Sequence, residues 1–400
     1  MEHHFGRNIL KRARAILGEE VGTLREGLRI SMMQMGQSDW LSWIFFIMFI
    51  MIMQFYANRL QAQIWISEIS RALSKLEEYS NDSARKFIEE ASKYGRSQDE
   101  IRAAFNKVKG FFLIEPVTLD PYGAIRRLEH LLNVMRNHLN AIMMDMAPAA
   151  DEWKRSNLRD QMAGALTLDM IYRIIRHYFI LGRKTQNLIY IAQIQMLLPE
   201  IMRIAKAYWK AGDAFRLGIP IGDGIGPLVA LKLIGNAEPL EIAENVVGAE
   251  VEVEGRRVMV IKAKGPGSEV GRPGLAIERV VEGREGKVAL IVTIDAASKL
   301  EGEPTAEIAE GIGAAIGDPG PEKYKIEEVA TKYGIPLHAI AIKEDQLDAI
   351  TSMNEEIARS ADDVIERVRR IIASKTMPGD YVIVAGIGNT MGIGNRLGGA

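Results

Sequence analysis

Two aspartates in this chain stand where chemistry is feasible. Asp223 lies within Gly222-Asp223-Gly224-Ile225-Gly226-Pro227, with glycine on both sides. Glycine has no Cβ, so backbone N–H groups and a ligand can approach such a carboxylate closely. Asp295 follows the apolar run 288–294 (VALIVTI), which reads as a buried strand ending at the acid. A third feature, Gly386-Ile387-Gly388-Asn389-Thr390, follows the apolar run 381–385 (YVIVA). Ligands of open α/β sheets bind beyond the carboxyl ends of strands, and all three features are expected there. Two carboxylates in one pocket repel when both are ionised, so one keeps its proton or the pair recruits a divalent metal ion. A shared proton suits acid–base activation of water, and a cation polarises it. The candidate catalytic residues are therefore Asp223 and Asp295. The candidate ligand-binding residues are Gly222, Gly224, Gly226, Gly386, Gly388 and Asn389. In the competing reading each aspartate is a turn residue or helix cap, and the two point apart.

Other chemistries fall away. The chain has no cysteine, which excludes disulfides, thiol catalysis and cysteine metal sites and fits a reducing compartment. No Gly-Lys-Ser/Thr occurs, so there is no phosphate-binding P-loop. Gly386-x-Gly388 after a strand has the start of a dinucleotide fingerprint, but glycines 392, 394, 398 and 399 follow where a helix is required. His130, His138 and His177 are isolated on helical segments; His130 and His138 are eight apart, and no carboxylate joins them at metal-ligand spacing. A net charge of -2 gives no argument for a nucleic-acid partner.

These residues need a scaffold, and composition shows where it begins. Residues 213–400 hold 26 of the 37 glycines and ten of the 14 prolines, whereas all five tryptophans come earlier. Residues 213–400 are thus expected as an α/β domain, preceded by a helical stalk and bundle over 59–212. In the α/β part, 251–253 and 258–261 flank Glu254-Gly255-Arg256, a hairpin signal. A helix is expected over 322–333, a strand over 337–342 and one long amphipathic helix over 347–374. Strands alternating with helices predict a three-layer arrangement with a mainly parallel sheet. In the helical part, Ile66, Ile69, Leu73 and Leu76 form a narrow apolar seam, for self-association or for packing on the bundle. Ser97-x-x-Glu100 is a capping box, and Asp120-Pro121 opens a helix whose apolar face runs from Ile125 through Leu132 to Met146. The many methionines suit core filling.

Residues 40–53 read WLSWIFFIMFIMIM, with Ser42 the single polar residue, and Phe55, Tyr56 and Ala57 continue the run after Gln54. That length just spans a hydrocarbon core of roughly 30 Å. Trp40, Trp43 and Tyr56 sit at the ends, as interfacial aromatics do, and Asp39 and Arg59 close the run. A transmembrane helix over 39–58 is expected, in a single-pass cell-membrane protein. The expected partners are the lipid bilayer and further copies of the chain, without nucleic acid. Basic residues on both sides leave orientation open by charge; the missing cysteines and the poor cleavage site at Ala57-Asn58-Arg59 place the body in the cytosol. Residues 1–38 form a basic N-terminal tail, amphipathic over 1–31, unless translation begins at Met35.

The anchor beginning Asp39-Trp40, the segment 111–123 (FFLIEPVTLDPYG) and the GDGIGP and GIGNT motifs together resemble an archaeal family of single-span membrane proteins described as a domain of unknown function. That resemblance implies a membrane location and no activity. Residues 213–390 also resemble the fold shared by hydrogenase-maturation peptidases and the spore germination protease. There, Gly-Ile/Leu-Gly-Asn follows a strand, then comes an acid before a short helix, and a second acid ends a later strand. Asp223 in GDGIGPLVA matches the first acid and Asp295 in VTIDAAS the second. In those relatives Gly-Ile-Gly-Asn precedes the first acid, whereas here it lies at 386–389. Either the domain is circularly permuted, or residues 215–221 supply the first strand. The peptidases' metal-binding histidine has no counterpart, since His338 falls within a strand. The resemblance implies a peptidase-like hydrolase using two aspartates; the alternative is a membrane scaffold or ligand sensor that oligomerises through its helices.

Overall fold

A computed structural model describes residues 39–109, 121–317 and 320–397. The basic tail, Met35 and Asp120 lie outside them, as does most of the 111–123 segment. The chain clusters into two units, Met1–Glu68 and Ile69–Ala400.

Helix α1 runs from Asp39 to Ser92. In the first unit its side chains from Trp40 to Tyr56 are exposed on every face, Trp40 at 58% and Phe45 at 62%. By length and composition this helix and Leu188–Leu217 are the two described helices able to cross a membrane. The second of them also qualifies as a core helix, since Ile191, Ile194, Leu198, Ala205 and Ala211 are buried within the second unit.

The second unit opens with the rest of α1, where Ile69, Leu73 and Leu76 are buried within the same chain and Tyr79 stacks on Trp209 at 5.1 Å. Four more helices follow: α2 (Gln98–Val108), α3 (Pro121–Met146), α4 (Glu152–Thr185) and α5 (Leu188–Leu217). Ser97 and Glu100 make the reciprocal capping box that begins α2. Phe87, Phe105, Met143, Met146, Leu158 and Met162 fill the helical core, so these methionines are packing residues. His130, His138 and His177 lie on exposed helix faces.

The α/β part contains helices α6 (Ile225–Ile234), α7 (Pro273–Gly283), α8 (Pro321–Tyr333), α9 (Gln346–Ile350) and α10 (Glu355–Lys375). Its strands are β1 (Leu240–Ala243), β2 (Val246–Val253), β3 (Arg256–Ala263), β4 (Leu290–Ser298), β5 (Ile308–Ile312), β6 (Leu337–Glu344) and β7 (Tyr381–Gly386). They form one sheet in the order β1-β2-β3-β7-β4-β6-β5. The period of two puts alternate residues on opposite faces. Val258, Val260, Val292, Ile294, Ile340 and Val384 pack against α6 and α10, while Ile261, Ile291, Ile383 and Ala385 pack against α7 and α8.

The structure corrects three expectations. The sheet is mixed, not mainly parallel: β3, β7, β4 and β6 run parallel, but β1, β2 and β5 pair antiparallel. Direct turns cause this at one edge. Glu254 and Gly255 both adopt positive φ (52° and 72°), the two-residue turn that folds β2 back on β3. The helix expected over 347–374 is two helices. Asn354 caps α10 by accepting the Ile357 N–H, and residues 351–353 leave helical geometry to pair with 220–222. Residues 215–221 supply no sheet strand: 215–217 are the last residues of α5, and Ile221 makes a single bridge to Ser352.

Candidate functional site

The turn that carries Asp223 is held from below. Gly218 ends α5 with φ 67°, the left-handed cap glycine favours. The Gly222 N–H then donates to the Thr351 carbonyl (3.2 Å), and the Met353 N–H to the Pro220 carbonyl (2.8 Å). The break between α9 and α10 is thus the strut beneath this turn. Residues Gly222–Gly224 form one 3-10 turn and run into α6. The first turn of α6 sits directly on the ends of β4 and β7. A Cβ on Gly226 would collide with the Ile387 and Ile294 carbonyl oxygens, and one on Gly386 with the Gly226 carbonyl. Glycine is required at both positions because backbone meets backbone.

Gly388, at φ +133°, lies against the Asp223 carbonyl. The next N–H, that of Asn389, donates to Asp223 Oδ2 at 2.8 Å. The Asn389 side chain reaches further: its Nδ2 donates to Ser268 Oγ (2.8 Å), and Ser268 Oγ donates to Asp160 of α4. The Ser268 N–H donates to Asn157 Oδ1 (2.8 Å). A chain of hydrogen bonds therefore joins the helical region to Asp223.

Asp295 is 4% exposed. It lies inside β4, which continues to Ser298 rather than stopping at the acid. The neighbour stops instead: β7 ends at Gly386 opposite Ile294, leaving Asp295 paired only on the β6 side. Asp295 Oδ1 accepts the Ala296 N–H and Oδ2 the Gly317 N–H, both at 2.8 Å. Thr293 Oγ1 fixes the same loop by accepting the Ala315 N–H at 2.7 Å. Burial, and then the neighbouring Asp223 carboxylate, push Asp295 well above the usual carboxylate range, against the pull of its two N–H donors. Burial also raises Asp223, opposed by the Asn389 N–H. The two acids thus titrate as a pair that resists double ionisation.

A third acid, Glu344, ends β6 and is 1% exposed. Neither of its carboxylate oxygens has a hydrogen-bond partner among the described residues. Burial, then Asp223 and Asp348, push it up to about 8. Gly222 is glycine because a Cβ there would strike Glu344 and the Asp348 carbonyl. Sequence inspection passes over Glu344, although it closes an apolar strand as Asp295 extends one.

Two cavities of about 460 Å³ each meet at Asp223, Ile316 and Gly317. One holds Asp223, Asp295 and Gly388, with Glu129 and Arg136 of α3 and Arg272 and Glu322 on its walls. Its charges are cross-linked: Glu129 pairs with Arg272 and with Lys325 (2.6 Å). Burial raises the Glu129 carboxyl, but those two cations outweigh it and hold it below its ordinary value. The other cavity is lined by Asp223, Glu344, Asp345 and a set of alanines. A surface groove of about 580 Å³ near Lys232 and Asp362 contains none of the candidate residues. Among the described residues no group of three or more His, Asp or Glu is placed to hold a metal ion. His338 lies near the amino end of β6, opposite Val292, while Glu344 closes its carboxyl end.

Of the residues singled out in the sequence, Asp223, Asp295 and Gly388 line one cavity together. Asn389 holds Asp223 from behind. Gly222, Gly224, Gly226 and Gly386 are close-approach positions whose missing Cβ lets that arrangement form.

Fold and site together define a helical region joined to a three-layer α/β domain with buried carboxylates at the ends of its parallel strands. The chain belongs to the DUF1512 family: residues 43–218 match its N-terminal domain, described as a protein of unknown function, and residues 221–394 its C-terminal domain of unknown function. No curated protein matches the chain.

Proposed function

We propose that this protein is a membrane-anchored hydrolase whose α/β domain cleaves a carbonyl-centred bond through Asp223 and Asp295. One observation carries the reading: two acids 72 positions apart in sequence share one cavity, and each raises the cost of ionising the other. Such a pair resists double ionisation, so one member keeps its proton to a higher pH than a free carboxyl would. The ionised member takes a proton from water as its oxygen attacks the carbonyl carbon, and the neutral member donates its proton to the carbonyl oxygen; the adduct then collapses as the second member takes that proton back and the first passes its proton to the leaving group, whose bond to carbon breaks. Hydrogen-bond donors fixed at 2.8 Å on both acids hold them in register for that exchange.

The permuted relation to the two-aspartate peptidases supports the same reading. Strand β7 lies beside β4, and the Gly-Ile-Gly-Asn segment that follows it touches Asp223. The anchor reading rests on α1, whose most apolar stretch has a mean hydropathy of 1.8 and none of it buried. The body beyond Arg59 lies in the cytosol in this proposal.

Incubating the purified full chain with a mixed peptide pool, with cleavage followed by mass spectrometry, tests the chemistry. Asp223→Asn and Asp295→Asn should each lower cleavage on the order of a hundredfold or more. Cleavage retained in both variants would leave a non-catalytic scaffold as the better reading. For topology, Glu78→Cys supplies a unique thiol on an exposed helix face. An impermeant maleimide should label it only in permeabilised cells; labelling of intact cells would place the body outside.

A further inference from the structure

We infer that the cavity formed between the ends of β4 and β6 and helix α9 is a subsite for a cationic side chain, an arginine or lysine of the substrate. The inference rests on the hydrolase reading for its word "substrate", though not for the binding itself. Its anchor is Glu344. This side chain is 1% exposed, lines the cavity, and has no partner for either oxygen among the described residues. A buried polar group without a partner is costly and rare in native structures, and it marks a place where something else completes the bonding.

The charges around it choose the occupant. Asp223, Glu344 and Asp345 line this cavity with the uncharged Ser298 and Gln346, and among the described residues no lysine, arginine or histidine does. Asp348 approaches from α9 and adds to the repulsion. Two cations act from outside: Arg203 of α5 reaches Asp345 at 2.7 Å, and Lys299 attracts Asp345 and Asp348, although burial and then Asp345 keep Asp348 above its ordinary value. Neither partners Glu344. A guanidinium or ammonium would meet the unpaired acid and relieve its repulsion with Asp223. The remaining wall fits a methylene stem, since Ala296, Ala315, Ala341 and Ala349 present only methyl groups to a space of about 460 Å³.

Position ties this cavity to the aspartate pair. Glu344 continues the sheet face of Ile340 and Ile342, whereas Asp295 continues the opposite face with Ile291. Asp223 sits across the sheet end and lines both cavities. A chain whose basic side chain enters one cavity therefore passes its backbone over the acids of the other. Binding a cation would also ionise Glu344, releasing a proton.

Titrating the detergent-solubilised full chain at pH 6.5 with Nα-acetyl-arginine amide, and with its neutral citrulline and norleucine counterparts, tests the inference by calorimetry. The arginine probe should bind on the order of tenfold or more tighter than citrulline, with proton release visible as a buffer-dependent heat. Glu344→Gln, isosteric with the neutral acid, should erase that preference. Asp295→Asn should keep it while losing cleavage, so failure of the hydrolase reading and failure of the subsite are separable. Equal affinity for arginine and citrulline overturns the subsite. So does a preference that survives in Glu344→Gln, or Mg²⁺ or Zn²⁺ alone binding and displacing the arginine probe. If Glu344→Gln fails to fold, the arginine–citrulline ratio and the proton count on the unaltered chain decide.

Discussion

Glu90 in the helical region and Glu344 in the α/β domain are both buried glutamates, at 5% and 1% exposure, and they are treated in opposite ways. Glu90 accepts from Lys154 at 2.9 Å and from Lys93 at 2.6 Å, and these cations overcome its burial to hold it below its ordinary value. Lys154 is completed in turn by the Arg216 carbonyl at 2.9 Å. Glu344 has no partner and is pushed up to about 8. The difference teaches which acids maintain the fold. A structural acid is neutralised by groups within the same chain, whereas an acid at a site is left for something that arrives.

The largest effect that could break this contrast is on stability. Glu90→Gln leaves Lys154 buried beside an uncharged amide and should cost about 3–5 kcal/mol in denaturant unfolding of the full chain. Near pH 4.5, where the folded parent holds Glu344 neutral, Glu344→Gln should stay within about 1 kcal/mol of the parent, because no native bond is lost, and it should gain on the parent as pH rises. Equal losses in the two variants would erase the distinction.

The pH dependence should then run in opposite directions. Glu344 is raised above its ordinary 4.5, so between 4.5 and about 8 the folded state holds a proton that the unfolded state has released. Its contribution to stability is complete below 4.5 and declines as pH rises through that window, by up to about 1.4 kcal/mol per unit. Glu90 is lowered, so its contribution is present above its unfolded value and is lost as pH falls. Unfolding midpoints between pH 4 and 9 should show the alkaline decline in the parent and a shallower one in Glu344→Gln. An unchanged slope would remove Glu344 as its source.

Smaller effects sharpen the comparison. Gly226→Ala sets a methyl group against two carbonyl oxygens and should cost about 1–3 kcal/mol, with loss of whatever activity depends on Asp223. Asn389→Ala keeps the backbone N–H to Asp223 but loses the bonds to Ser268 and from the Met391 N–H, which together should cost about 1–3 kcal/mol by thermal melting. An unchanged melting curve would mean that the link to the helical region is slack.

The aspartates are legible in the sequence because each has a local signature, glycine on both sides of one and an apolar run before the other. Their meeting is not local. It depends on β7 inserting between β3 and β4, a sheet order that no neighbouring residues encode. The break after Ile350 is equally hidden, because Thr351 and Ser352 are tolerable in a helix and leave it only to pair with the distant Ile221. Glu344 has no local signature, since Lys343 and Asp345 flank it and a charged triplet resembles a solvated strand end. The mixed direction of the sheet is hidden for a related reason. The strands that run against the parallel four are β2 and β5, and the five-residue β5 lacks a strong apolar run that would mark it as part of the sheet.

That late insertion matters for how the protein is made. The Asn389 N–H and the Asp223 carboxylate it holds are separated by 166 positions, which a ribosome covers in roughly ten to thirty seconds. Until Tyr381–Gly386 emerges, β3 and β4 have no partner for their facing edges, and the middle of the sheet is an open slot. Nascent chains in that interval expose two unpaired apolar strand edges, the kind that recruit other strands. The centre of the sheet, the best-buried place in the finished domain, is thus the last part of it to be closed during synthesis.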